Sequence, residues 1–135
     1  MYKIYDLQQD SQRIAHMQRA SQADGPVGLE NTHGLIGTKE WWDSIQHGAL
    51  KVHRAEGVVS GFWPGQGGGG PAEFELREPS GSTSRWLCEV EPKAAERAFR
   101  LGRAVAVEYV LQRLKREFNG SRDSEVTVSI SSNEA

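Results

Sequence analysis

The sequence predicts a mainly β protein, with five antiparallel strands closing into a small β-barrel and short capping helices. Three observations carry that expectation. Apolar and polar residues alternate over several short segments, most cleanly at Ala72–Glu78. Turn chemistry separates these segments, as in Pro79-Ser80-Gly81-Ser82. Glycine is over-used, with 15 copies in 135 residues, and it clusters between apolar runs.

Residues 1–24 are polar and rich in Gln, Ser and Ala. Ile4, Leu7, Ile14 and Met17 fall at near-helical spacings, which supports either a weak amphipathic helix or a frayed tail. Residues 25–37 carry Gly25-Pro26, Gly28, Gly34 and Gly37 and read as an irregular connector. Thr38 is placed to cap a helix over Lys39–Gln46, with Glu40 favouring its dipole and Gly48 stopping it. Trp41, Trp42 and Ile45 then share one broad apolar stripe, and this helix is expected to plug the barrel.

Lys51–Trp63 predicts the first strand through Val58-Val59 and Phe62-Trp63. The glycine run 65–70, flanked by Pro64 and Pro71, is a loop. Ala72–Glu78 and Ser84–Val90 form a hairpin with Phe74, Leu76, Trp86, Cys88 and Val90 toward the core. Glu73, Glu75, Arg77, Arg85, Leu87 and Glu89 then face outward. Pro92–Arg100 reads as a helical turn with proline at its first position.

Arg103–Arg113 is expected to be a strand with Val105, Val107, Tyr109 and Leu111 inward and Ala104, Ala106, Glu108 and Gln112 opposite. A rival helix through Val107, Val110, Leu111, Leu114 and Phe118 also fits. Gly102 and the Val/Tyr content favour the strand. Glu125–Ser131, alternating at Val126, Val128 and Ile130, is the last strand.

Five strands with a helix between the third and fourth resemble the oligonucleotide/oligosaccharide-binding (OB) barrel. The chain is also similar to uncharacterised small bacterial proteins of this OB-like type. The likeness rests on Gly37-Thr38-Lys39-Glu40-Trp41-Trp42, Glu56-Gly57-Val58, Glu73-Phe74-Glu75-Leu76, Trp86 and Gly102 through Val110. That resemblance implies the fold and brings no chemistry with it. The expected organisation is a polar segment 1–36, partly helical or disordered, one OB-like barrel domain 37–131, and a tail 132–135.

Net charge is −2, distributed as −2 over residues 1–50, +2 over 51–118 and −2 over 119–135. So weak a basic excess argues against a duplex or membrane partner. One cysteine, Cys88, excludes an intrachain disulfide and a thiolate metal cluster. The start lacks the apolar stretch of a secretory signal, and no apolar run nears bilayer-spanning length. The cytoplasm is therefore the expected location.

Catalytic groupings are missing from the pattern. The glycine run has no Gly-Lys-Ser/Thr ending, so it reads as a mobile flap or a slack linker rather than a phosphate loop. His16, His33, His47 and His53 show no ligand spacing. Glu73 and Glu75 share a face but lack a third ligand, and Cys88 sits on an apolar face. Neither an enzyme nor a cofactor is expected.

What remains is a binding module for a protein partner, using Trp63, Arg77, Arg85 and Leu87. The alternative is a single-stranded nucleic-acid binder using Trp63 and the basic residues between 97 and 116, among them Arg113 and Arg116. Three carboxylates on the outward hairpin face, Glu73, Glu75 and Glu89, count against that alternative, because they repel phosphate.

Overall fold

The computed structural model describes residues 1–23, 28–64, 71–118 and 120–133. The predicted glycine loop at 65–70 lies outside the described residues. Among the described residues six strands, rather than the expected five, form one sheet: β1 (Tyr2–Asp6), β2 (Val52–Pro64), β3 (Pro71–Arg77), β4 (Thr83–Leu87), β5 (Ala104–Phe118) and β6 (Ser121–Ser132). The same residues hold three short α-helices: α1 (Ser11–Gln22), α2 (Lys39–Gln46) and α3 (Pro92–Ala98). The fold class is thus mainly β with short helices.

The expected barrel does not close. Strand order is β1-β6-β5-β2-β3-β4, so β1 and β4 are edges that do not pair with each other. The extra strand is β1, read from the sequence as part of a helix or tail. It pairs antiparallel with β6 from Tyr2↔Ser132 to Asp6↔Ser129, with a shift between Lys3 and Tyr5. Backbone pairing of an N-terminal segment with the end of the chain leaves no local signature that alternation can report.

Two compact units are distinguishable. The first comprises Met1–Asp6, Arg54–Glu108 and Ser129–Ala135, and the second Leu7–His53 and Tyr109–Val128.

In the first unit, the β3–β4 hairpin follows the expected faces. Phe74, Leu76 and Trp86 are buried, and Phe74 stacks on Phe99, just beyond α3, with centroids 4.3 Å apart. Such a pair adds roughly 0.5–1.5 kcal/mol to the burial itself. α3 begins with proline, whose missing N–H costs nothing in a first turn. Gly57 in β2 is forced by proximity, since a Cβ there would stand 2.1 Å from the Arg77 carbonyl oxygen. The β2–β3 register slips between Val59 and Gly61, leaving Ser60 as an extra residue.

The second unit is held by side-chain to backbone bonds. Asp10 caps α1 by accepting from the Arg13 N–H at 3.1 Å. At the other end, Lys115 on β5 donates to the Ala20 and Ala23 carbonyls at 3.4 and 2.8 Å, where the helix dipole favours a cation. Residues 28–30 run beside β5, with Glu30 N–H donating to the Arg113 carbonyl and Lys115 N–H to the Gly28 carbonyl.

β5 is a strand, as expected, but its inward parity does not hold throughout. Val105 and Val107 are buried, yet so is Ala106 between them. Further on, Leu111 is 41% exposed while Val110 and Gln112 are buried. The physical reason lies with α2, the helix expected to plug a barrel, which meets β5 of an open sheet instead. Its Trp41 is fully buried and donates its indole N–H to Gln112 Oε1 at 2.8 Å, and Gln112 Nε2 donates to the Glu30 carbonyl at 3.0 Å. These partners turn an even-numbered polar side chain inward.

Candidate functional site

β2, β3 and β4 present one outward face within the first unit. The register sets Trp63, Glu73 and Leu87 in one row, Gly61, Glu75 and Arg85 in the next, and Val58, Arg77 and Thr83 in a third. Successive side chains on a strand point to opposite faces, so these rows share a side and Phe74, Leu76 and Trp86 occupy the other.

Trp63 is the anchor of this face. Its ring leans back over Gly61, where a Cβ would meet the indole Cη2 at 3.7 Å. The Arg85 guanidinium lies over the ring, 3.6 Å from its centroid, and Nη2 donates to Glu73 Oε2 at 3.0 Å. The stack orients a planar cation on an aromatic, a contact of roughly 0.5–1 kcal/mol at an exposed site. The Arg85–Glu73 ion pair is half exposed, so it positions the two groups more than it stabilises the fold. Ser60, the residue left over by the bulge, donates its hydroxyl to Glu75 Oε1 at 2.6 Å.

Apolar area on this face is uncovered. Leu87 is 48% and Val58 43% exposed. Arg77, opposite Val58, is exposed and forms no ion pair with a described residue. The structure therefore brings Trp63, Arg77, Arg85 and Leu87 together on one side of three strands. Glu89 leaves the face: it follows β4 with φ 64°, a left-handed conformation uncommon for a non-glycine residue.

The other two sequence-derived residues fall in the second unit, with different company. Arg113 Nε stands 3.7 Å from Glu30 Oε2, and Arg116 is exposed. Lys115 between them is committed to the end of α1. The basic stretch is thus partly used inside the protein. A groove of about 260 Å³ in this unit, lined in part by Arg13, His16, Met17, Leu29 and Glu125, was not read from the sequence. Arg13, His16 and Met17 share one face of α1 by helical spacing, but Leu29 and Glu125 are far from them in sequence and meet them only in the fold. Among the described residues, no three His, Cys, Asp or Glu side chains gather as a metal site.

Cys88 is buried beneath the hairpin. Desolvation, with the Glu73 and Glu89 carboxylates adding to it, pushes its thiol from 9.0 up to about 12. A thiol so held is a poor nucleophile at neutral pH.

The whole-chain comparison decides the family. The sequence model described as "Immunity protein RhsI2" matches residues 1–131. The chain belongs to the RhsI2 immunity protein family. A search among curated proteins returns no match. The RhsI2 match takes in the N-terminal strand and helix as well as the hairpin. The match narrows the resemblance to small bacterial proteins to an immunity family, while the strand order separately shows that the OB-like barrel is an open sheet. It also accords with a small, mainly β bacterial protein.

Proposed function

We propose that this RhsI2 family member neutralises a cognate toxin by binding it, without catalysis, through the outward face of β2, β3 and β4. The observation that carries the reading is the match to an immunity protein family over residues 1–131. The geometry supports it in kind. Tryptophan and arginine are the side chains most enriched at interface hot spots, and here Trp63 and Arg85 are already stacked and oriented. Preorganisation lowers the ordering cost of association. Leu87 and Val58 supply apolar area around them, and Arg77 offers an unengaged cation at the margin.

The site of action we propose is the cytoplasm, an assignment compatible with a single free thiol in the core. No finding supports the single-stranded nucleic-acid alternative. Glu73 and Glu75 stand on the same face as Trp63, and Arg113 and Lys115 have partners inside the protein.

Mixing the purified chain with its purified cognate toxin tests the proposal. A stable complex should form on gel filtration, and toxin activity should fall in proportion to complex. The Trp63→Ala/Arg85→Ala double variant should bind at least about thirtyfold more weakly while keeping its far-UV spectrum. Absence of any complex would defeat the neutralisation reading. Full affinity in the double variant would defeat the assignment to this face.

A further inference from the structure

The edge of β4 carries backbone groups that no described residue engages. β4 ends the strand order, so among the described residues β3 is its only neighbour in the sheet. The β3–β4 register pairs Glu73 with Leu87, Phe74 with Trp86, Glu75 with Arg85, Leu76 with Ser84 and Arg77 with Thr83. Bonds just beyond each end set the phase of the ladder. Cys88 N–H donates to the Ala72 carbonyl and Glu78 N–H to the Ser82 carbonyl, both at 2.9 Å.

Bonded and non-bonded pairs alternate along an antiparallel ladder. Counting inward from either end makes Phe74/Trp86 and Leu76/Ser84 the bonded pairs. Thr83, Arg85 and Leu87 therefore turn both N–H and C=O away from β3. All three residues are exposed, and no described group bonds to their outward backbone.

Such a row is a template for another extended chain. Edges are commonly blunted by proline, lysine or a bulge. β4 reads Thr83-Ser84-Arg85-Trp86-Leu87, with no proline and an unbroken register with β3, and its one charge, Arg85, is drawn onto the sheet face by Glu73 and Trp63. The edge also borders the face built on Trp63, since Arg85 and Leu87 belong to both.

We infer that the β4 edge receives an extended segment of the toxin as an added strand, an inference that rests on the neutralisation reading above. Register specifies the chemistry of that segment. The residue beside Leu87 is apolar, because it extends an uncovered apolar side chain. The residue beside Arg85 is acidic, since the guanidinium keeps donors beyond its Nη2 bond to Glu73. A second copy of this chain is the poorer occupant. Two β4 edges paired antiparallel over all three residues would set Arg85 directly against its own copy, and like charges so placed repel.

Amide exchange, read residue by residue in the free protein and in its complex with the purified toxin, tests this. The amides of Thr83, Arg85 and Leu87 should exchange freely alone and slow by more than about tenfold in the complex. Those of Ser84 and Trp86 should already be protected. Replacing Leu87 with proline deletes an outward N–H that β3 does not use, and affinity should fall about tenfold or more. Methylating the Leu87 amide nitrogen by semisynthesis should do the same if L87P proves misfolded.

A complex that forms with unchanged exchange at these three amides would overturn the inference and leave the neutralisation reading standing. No complex at all would remove both. Protection of the same amides in the free protein, with a dimer by light scattering, would overturn the choice of toxin over self.

Discussion

Gln112 illustrates how one side chain can organise a region. It accepts from the buried Trp41 indole and donates to the Glu30 carbonyl, which ties α2 and the segment at 28–30 to β5. Replacing it with leucine would leave a buried donor and a backbone acceptor without partners, and each such loss costs roughly 1–3 kcal/mol. The Gln112→Leu variant should therefore unfold at a clearly lower urea concentration with an unchanged slope. An unaltered midpoint would show that the bond contributes nothing. The sequence placed Gln112 on a polar, outward side, because alternation assigns faces by residue type. It holds no sign that a glutamine is satisfied from within. Trp63, by contrast, was legible as an aromatic outside the core, because a ring at a strand end beside a glycine-rich loop has little core to fill. Its stack with Arg85 was not, since the two are distant in sequence and meet only through the register of β2, β3 and β4.

At the scale of elements, local chemistry was the best guide. The bounds of α2, Lys39–Gln46, coincide with those read from the sequence, because the capping signal lies within a few residues of what it caps. Thr38 accepts from the Trp41 N–H at 3.4 Å and donates its hydroxyl to the Leu35 carbonyl at 2.6 Å. Thr38→Ala removes both bonds and should lower stability by about 1 kcal/mol, within the range for lost N-caps. Thermal unfolding monitored by circular dichroism would register this, and an unchanged midpoint would argue that the long 3.4 Å contact does no capping. The hairpin was readable as far as Leu87, where turn residues and period-two alternation agree, but the expected second arm ran on to Val90, past the end of β4 and through the left-handed Glu89. β5 was readable as a strand and misread in its facing. Val105, Ala106 and Val107 are all buried, so alternation ceases to report a side where a strand is covered on both.

For the whole molecule, the buried thiol links stability to pH. Cys88 keeps its proton in the folded state up to about pH 12, whereas the unfolded chain releases it near 9. The unfolded state therefore binds fewer protons at alkaline pH, and stability falls as pH rises between those values. Below pH 9 this contribution is fully present. Urea unfolding at a series of alkaline pH values should show the decline, and Cys88→Ala should flatten it relative to the parent. Parallel profiles for the two proteins would refute the assignment.

Composition and patterning by themselves settled the class of this protein: strands of period two, turns of glycine and proline, and short capped helices. Each of these arises from interactions a few residues apart. Closure, strand count and the meeting of Trp63 with Arg85 were decided only by the tertiary structure. Which edges of a sheet pair, and which stay open, depends on backbone bonds between segments far apart in the chain. Alternation is blind to those bonds, because an edge strand and a central strand can carry the same side chains.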